Sequence, residues 1–207
     1  MTKIKICGLS RPEDIRYVNE AKPDFCGFII GVPRSRRNVS PETVRTLRRM
    51  LHKEICPVGV FVNGDPQIIA TLVWDGTLSM VQLHGQEDDA YIAALRREIT
   101  VPIIKAFSVH SREDVQRAEQ SSADYILLDH GKGGTGQTFE WSLLHGLSRP
   151  YILAGGLNPE NLPAAIGRLR PWGVDLSSGV ETDEIKDRNK ILAAVQVART
   201  TDMEVEV

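Results

Sequence analysis

Residues 151–179, with the sequence YILAGGLNPENLPAAIGRLRPWGVDLSSG, show the pattern of strand and helix from which the fold class is predicted. The segment begins and ends with short apolar runs, at 151–156 and 173–179, and the residues between them have helical spacing. Asn158, followed by Pro and Glu, is typical of a helix start. A strand, a helix and a second strand in this order predict a unit with two parallel strands.

The same alternation of strand and helix continues through the rest of the chain. Six further apolar runs, each followed by a polar segment with helical spacing, cover residues 4–9, 25–30, 58–63, 80–85, 103–109 and 125–130. Eight β-then-α units without a long structureless stretch predict an α/β protein with a closed (β/α)8 TIM barrel of eight parallel strands. We expect a single catalytic domain over residues 1–207, with the last helix over residues 183–198. A doubly wound open sheet is the alternative.

Capping residues mark where several helices should begin. A Ser, Asp or Asn with Pro or Glu close behind is typical of a helix N-terminus. On this basis we expect caps at Ser10, Ser40, Asp65, Ser111 and Asn158.

The composition argues against several classes of protein. Hydrophobic residues make up 42% and charged residues 25% of the 207 residues, and 25 Lys and Arg against 27 Asp and Glu give a net charge of −2. This balance provides no overall attraction to nucleic acid or anionic lipid. No run approaches the ~18 apolar residues of a membrane span, and three cysteines at irregular spacings indicate reduced thiols. We therefore expect a cytoplasmic protein with no nucleic-acid or membrane partner.

Strand phase predicts which polar side chains enter the barrel. Ile4 and Ile6 should face the helices, which sends Lys5 and Cys7 inward. The same reasoning predicts further polar groups inside, at Gln82, His84, Lys105, Asp129 and Asp175. Because a buried charge is costly unless it is paired, this cluster is either a structural ion-pair network or an active site.

Two loops of small residues follow the last two predicted strands. Loops at these positions form the recurrent phosphate site of TIM barrels. A phosphate dianion needs unobstructed backbone N–H groups, which glycine provides. We therefore expect phosphate donors at Gly155, Gly156, Ser178 and Gly179.

The segment 131–136, GKGGTG, matches the G-x-G-x-x-G pattern of dinucleotide-binding proteins. That pattern belongs after the first strand of a βαβ unit, with an acidic residue at the end of the next strand. Here the next strand ends in Ala154, Gly155 and Gly156. We interpret the segment as a lid over an active site.

Nine fragments, in order from the first strand to the last, resemble the phosphoribosylanthranilate isomerase family. They are KICGL (5–9), DFCGF (24–28), SRR (35–37), VFVN (60–63), VQLHG (81–85), LLD (127–129), GGTG (133–136), AGGL (154–157) and GVDLSSGVE (173–181). The resemblance implies an Amadori rearrangement of N-(5-phosphoribosyl)anthranilate in tryptophan biosynthesis. It implies no cofactor and no metal.

The resemblance also implies roles for individual residues. Cys7 matches the general base that takes a proton from C2 of the sugar, and Asp129 matches the general acid that protonates the ring oxygen. Arg37 matches the arginine that binds the anthranilate carboxylate, with the neighbouring Arg36 as a second candidate. We hypothesise that Lys5 favours the thiolate form of Cys7.

The same residues leave three alternative functions. The related isomerase of histidine biosynthesis carries an Asp where this chain has Cys7, and indole-forming synthases rely on a lysine acid and a glutamate. A phosphate-ligand-binding barrel without catalysis is a further alternative. The expected partner is a small phosphorylated substrate, and we predict a monomer, with a homodimer as the alternative.

Overall fold

A computed structural model describes residues 1–129 and 141–205, with side chains as far as residue 201. The predicted lid at 131–136 lies outside these residues. Eight parallel strands form the barrel, and their bounds are β1 (Lys3–Cys7), β2 (Phe25–Ile30), β3 (Cys56–Phe61), β4 (Met80–Leu83), β5 (Ile103–Ser108), β6 (Tyr125–Asp129), β7 (Tyr151–Leu153) and β8 (Gly173–Leu176).

The first strand closes the sheet on itself. β1 pairs in parallel with β2, where Cys7 lies opposite Gly27, and also with β8, where Lys5 lies opposite Asp175. Every other barrel strand pairs with its neighbour in the chain. The predicted (β/α)8 barrel is therefore confirmed, and the open sheet is wrong.

Seven α-helices surround the strands in the described ranges. They are α1 (Pro12–Ala21), α2 (Pro41–Met50), α3 (Pro66–Trp74), α4 (Asp89–Leu95), α5 (Arg112–Glu119), α6 (Leu162–Leu169) and α7 (Arg188–Val205). In the described part of the segment between β6 and β7, a 3-10 helix covers Trp141–Leu144. No helix among the described residues has the length and apolar character needed to cross a membrane.

The last helix begins later than predicted. Glu181–Thr182 and Ile185–Lys186 form a small antiparallel hairpin, and Asp183 and Glu184 turn the chain with φ of 49° and 65°. Two consecutive positive φ angles are incompatible with a right-handed helix and typical of a tight hairpin turn. The helix therefore starts at Arg188, not at 183.

Three of the five predicted caps are confirmed. Ser40, Asp65 and Ser111 each accept a hydrogen bond from a backbone N–H in the first turn of α2, α3 and α5. The predictions for Ser10 and Asn158 are wrong, because these residues lie in the turns before α1 and α6. There, the carboxylate of Asp14 accepts from the N–H of Ser10, and Asn158 accepts from the N–H groups of residues 160 and 161.

Apolar side chains fill both sides of the barrel wall. A large cluster packs between the strands and the helices, and a smaller one fills the barrel interior. The inner cluster consists of Val58, Met80, Ile104, Ala106, Leu127, Ile152 and Ala154. These apolar side chains fill the barrel interior, so the polar groups predicted from the sequence lie toward the carboxyl ends of the strands.

Candidate active site

A cavity of about 220 Å³ opens at the carboxyl ends of the strands. Its wall contains most of the polar residues predicted from the sequence, namely Cys7, Arg37, Gln82, His84, Asp129, Gly155, Gly156, Asp175 and Ser178. These residues come from β1, β4, β6 and β8 and from the loops after β2, β4, β7 and β8. The barrel thus brings together groups that lie far apart in the chain.

Different parts of the cavity wall differ in chemistry. β2, β3 and the segments that follow them contribute the apolar side chains of Ile29, Val32, Val60 and Val62, and Arg37 comes from the segment after β2. The loops after β7 and β8 contribute mainly small residues, with Leu157 as the larger side chain. A ligand that suits this wall has an apolar ring, an anionic group for the arginine and a second anionic group for the small-residue loops.

Cys7 closes β1, and Gly27 on β2 leaves room for its side chain. A Cβ atom on Gly27 would lie 2.7 Å from the Cys7 sulfur and 3.2 Å from Cε of Lys5. Both side chains therefore occupy the space above this glycine. Burial raises the pKa of the Cys7 thiol, although the nearby charge of Lys5 opposes the shift.

Asp129 closes β6 and faces His84. The distance between Nε2 of His84 and Oδ2 of Asp129 is 3.8 Å. On the other side of the ring, Nε2 of Gln82 lies 2.8 Å from Nδ1 of His84. Because the amide nitrogen can only donate, Nδ1 accepts and the ring proton sits on Nε2, which faces Asp129. Burial and the positive charge of Lys5 lower the pKa of His84 to about 4, so the ring is neutral near pH 7.

Arg37 reaches the cavity across Gly8 and is held by Glu181. Gly8 has a φ of +83°, and a Cβ there would lie 2.4 Å from Cδ of Arg37. Nε and NH2 of Arg37 donate to the two oxygens of Glu181 at 2.6 and 2.7 Å. Arg36 instead binds Glu181 and the exposed Glu184, at 2.7 Å each, and is not part of the cavity wall. Of the two arginines, Arg37 is thus the one that lies in the cavity wall.

Glu181 is a buried anion surrounded by cations. Besides the two arginines, Nζ of Lys186 donates to it at 2.6 Å. Burial disfavours the charged carboxylate, but the hydrogen bond from Arg37 and the charge of Lys186 outweigh burial and lower its pKa to about 2. The hairpin after β8 is therefore joined to the loop after β2 by a charged network.

The two loops predicted to bind phosphate are in contact. Gly155 and Gly156 have φ of +88° and +64° and lie in the cavity wall, together with Ser178. Gly179 lies behind them, where a Cβ would be only 1.9 Å from the carbonyl oxygen of Leu157. Glycine at 179 thus allows the loop after β8 to pack against the loop after β7.

The prediction for Lys105 is wrong. In β5 the inward residues are Ile104 and Ala106, so Lys105 faces the helices. Its ammonium group donates to the carbonyl oxygen of Gly85 at 2.8 Å and to Glu87 at 3.2 Å. This lysine supports the loop after β4 instead of lining the cavity.

Several residues of the site were not singled out as site residues from the sequence. Gly8 and Gly27 make room for the side chains of Arg37 and Cys7, and Glu181 and Lys186 hold the arginine. For Glu181, the available signal was its place directly after the predicted phosphate loop. The partner of Lys5 is Asp175, whose Oδ2 lies 2.9 Å from the ammonium nitrogen.

Comparison with known proteins agrees with this geometry. A sequence profile of the family described as N-(5'phosphoribosyl)anthranilate (PRA) isomerase matches residues 4–197. The chain belongs to the phosphoribosylanthranilate isomerase family. The family assignment made from the sequence is thereby confirmed.

Individual members of the phosphoribosylanthranilate isomerase family are similar over nearly the whole chain. A member from Endomicrobium trichonymphae is 44% identical over 205 residues, covering 97% of this chain and 100% of its own. The crystal structure of the Thermotoga maritima member has a TM-score of 0.86 at 37% identity and covers 97% of this chain and 100% of its own. A further isomerase structure, in complex with reduced 1-(o-carboxyphenylamino)-1-deoxyribulose 5-phosphate, has a TM-score of 0.84 at 36% identity, with 97% and 100% coverage.

Proposed function

We propose that this chain converts N-(5-phosphoribosyl)anthranilate into 1-(2-carboxyphenylamino)-1-deoxyribulose 5-phosphate, a step of tryptophan biosynthesis. The observation that carries the proposal is the set of groups that meet in one cavity wall. Arg37 with apolar side chains, Cys7 with Asp129, and two loops of small residues match the carboxylate-bearing aryl ring, the reacting sugar and the phosphate of this substrate.

Arg37 binds the anthranilate carboxylate in this proposal. Its guanidinium lies in the cavity wall, and Glu181 holds two of its nitrogens, which leaves NH1 for a ligand. The aryl ring packs against the apolar side chains of Ile29, Val32 and Val60. In the loops after β7 and β8, Gly155, Gly156 and Ser178 surround the phosphate, while Gly179 keeps the two loops together.

Asp129 is the proposed general acid. Its proton is transferred to the ring oxygen of the sugar, so the C1–O bond breaks and a protonated Schiff base forms between C1 and the anthranilate nitrogen. The Nε2–H group of neutral His84 faces the carboxylate that remains on Asp129, and its dipole favours the negative charge. His84 is thus a positioning residue for this step.

Cys7 is the proposed general base. The cationic nitrogen of the Schiff base acidifies the C2–H bond, and the thiolate removes this proton while the electron pair forms the C1–C2 double bond of an enol-amine. Protonation at C1 and loss of the O2 proton then give the ketone. The positive charge that develops in the substrate offsets the burial that raises the pKa of Cys7 in the free site.

Two buried oxygens of the cavity residues suit the hydroxyl groups of the sugar. Among the described residues, Oε1 of Gln82 and Oδ1 of Asp175 have no hydrogen-bond donor. A buried acceptor without a partner costs roughly 1–3 kcal/mol. The hydroxyl groups at C2 and C3 of an open-chain pentose supply two such donors, so binding of the sugar removes this cost.

The reaction is tested by generating N-(5-phosphoribosyl)anthranilate in situ and following the loss of its fluorescence. Since general acid–base groups contribute about 10²–10⁴-fold each, Cys7→Ala and Asp129→Asn should each reduce kcat by at least about 100-fold. Cys56→Ser, outside the cavity, is the matched control and should retain turnover. Full turnover in both site variants would leave the family unchanged but refute the acid–base assignment.

The proposal also covers the cofactor requirement, the cellular location and the oligomeric state of the protein. The steps above are proton transfers and draw on no cofactor. A cytoplasmic location follows from the need for Cys7 as a free thiol, since disulfides persist mainly in oxidising compartments. The single catalytic domain over residues 1–207 and the monomeric state, with a homodimer as the alternative, stay predictions.

A further inference from the structure

Lys5 and Asp175 form an ion pair directly beside Cys7. The ammonium nitrogen of Lys5 lies 2.9 Å from Oδ2 of Asp175, and the two side chains are 2% and 9% exposed. The pairing register favours this contact, because Lys5 of β1 lies opposite Asp175 of β8 and both point into the barrel. The Cys7 sulfur and Cε of Lys5 lie 2.7 and 3.2 Å from the same Cβ position above Gly27, so the lysine side chain also runs beside the thiol. The lysine thus lies between a carboxylate and a thiol.

The titratable and charged groups around the sulfur come from several elements. Lys5 precedes Cys7 on β1, Cys26 lies on the adjacent β2, and Asp175 lies on β8. Arg37 and Lys186 also act on the sulfur, from the loop after β2 and from the hairpin, but both are bound to Glu181. His84, directly after β4, and Asp129, at the end of β6, face the cavity, and the ring of His84 is neutral. Lys5 is therefore the dominant cation at Cys7, and Asp175 the dominant anion.

We propose that the Lys5–Asp175 pair is a positioning element that sets the base strength of Cys7. Lys5 stabilises negative charge on the sulfur, and Asp175 restrains this effect by sharing the ammonium group. The inference rests on the proposed role of Cys7 as the general base. It goes beyond that role by assigning the two pair members opposite actions on the same atom.

The directions of the shifts agree with the geometry. Burial disfavours the charged ammonium of Lys5, but the charges of Asp175 and Cys7 outweigh burial and raise its pKa to about 12, so the cation is permanent. For Cys7, burial raises the pKa, Lys5 lowers it and Asp175 raises it. Removing the lysine should therefore raise the pKa of Cys7 and disfavour the thiolate. Removing the carboxylate charge should lower this pKa and favour the thiolate.

The test measures the thiolate directly and without substrate. The rate at which iodoacetamide alkylates Cys7 is followed against pH by peptide mass spectrometry, with Cys56 in the same digests as the internal reference. In Lys5→Met the pH midpoint of Cys7 alkylation should rise by about 1 pH unit or more, and in Asp175→Asn this midpoint should fall. The acidic limb of the kcat/KM profile should move in the same directions.

Lys105→Met is the matched control, because it removes a second buried lysine that is paired with a carboxylate outside the cavity. It should leave the Cys7 midpoint in place. If Lys5→Met does not fold, the variant carrying both Lys5→Met and Asp175→Asn replaces it. The Cys7 midpoint of this double variant should be higher than that of the unmodified protein.

Two different failures are distinguishable in this experiment. Midpoints that stay unchanged, or that move in the same direction in both single variants, would overturn the inference and make the pair purely structural. Turnover that persists in Cys7→Ala would instead refute the proposed base, whatever the titration shows.

Discussion

Arg37 and Glu181 form a two-point ion pair, with Nε donating to Oε1 at 2.6 Å and NH2 donating to Oε2 at 2.7 Å. The pair joins the loop after β2 to the hairpin after β8, on either side of β1. Because a planar guanidinium held at one edge retains little rotational freedom, the opposite edge is already oriented before a ligand arrives. This arrangement leads to two predictions, one on recognition and one on stability.

The first prediction concerns the substrate carboxylate. Arg37→Ala should lower kcat/KM for N-(5-phosphoribosyl)anthranilate by about 10- to 100-fold, since hydrogen bonds to charged groups contribute roughly 1.5–3 kcal/mol. Steady-state kinetics with the aniline analogue, which lacks the carboxylate, provides the comparison. That analogue should be a poor substrate of the unmodified protein and should lose little more in the variant. An equal loss with both substrates would exclude the carboxylate contact, and Arg36→Ala would then be measured.

The second prediction concerns stability against pH. The folded state lowers the pKa of Glu181 from 4.5 to about 2, so its ionised form stabilises the fold above the unfolded value and this stability is lost as pH falls toward 2. Glu181→Gln should lower the free energy of unfolding by on the order of 3 kcal/mol near pH 7, and by much less near pH 2. Urea unfolding at several pH values measures this difference.

Glu184→Gln is the control for the second prediction. Glu184 pairs with Arg36 at the surface, where ion pairs contribute about 0–1 kcal/mol, so a small change is expected at every pH. A loss in Glu181→Gln that does not depend on pH would mean that packing, and not ionisation, accounts for the stabilisation.

The third prediction concerns the protonation of His84. With its pKa lowered from 6.5 to about 4, the ring should stay neutral down to about pH 5 and carry its proton on Nε2. Nitrogen chemical shifts from NMR distinguish the two tautomers and follow the titration. In Gln82→Leu the donor to Nδ1 is removed, so the fixed tautomer should be lost. A midpoint near 6.5 in the unmodified protein would contradict the assigned role beside Asp129.

Much of this architecture could be predicted from the sequence because parallel strands and helices leave a periodic record. The runs that begin at Ile4, Phe25 and Gly173 have barrel strands at their positions. The alternation in β1 correctly placed Lys5 and Cys7 inside the barrel, where Cys7 lines the cavity and Lys5 is buried against Asp175 without being part of the cavity wall. The ends of the strands were predicted less accurately. The predicted strand 173–179 stops at Leu176, because the residues after it turn into a 3-10 helix.

Lys105 shows where strand phase alone fails. Its strand is apolar on both faces, as in any barrel packed on both sides, so alternation could not decide which face enters the interior. The contacts that fix its place, with Gly85 and Glu87, come from the loop after another strand. The same limit applies to Glu181, whose role depends on Arg37 about 140 residues away in the chain.

The fourth prediction concerns the contact between the two small-residue loops. In Gly179→Ala the new methyl group would lie 1.9 Å from the carbonyl oxygen of Leu157 and 2.8 Å from its carbon, and neither backbone atom can move away cheaply. The loops should separate, and since a misplacement of about 1 Å can cost 10²-fold, kcat/KM should fall by about 10- to 100-fold. Competitive inhibition by inorganic phosphate should weaken in parallel.

Gly167→Ala on α6 is the control, because no atom lies within 4 Å of its Cβ position and alanine should stabilise the helix by about 0.5–1 kcal/mol. Unchanged phosphate inhibition in Gly179→Ala would mean that the phosphate does not bind between these loops.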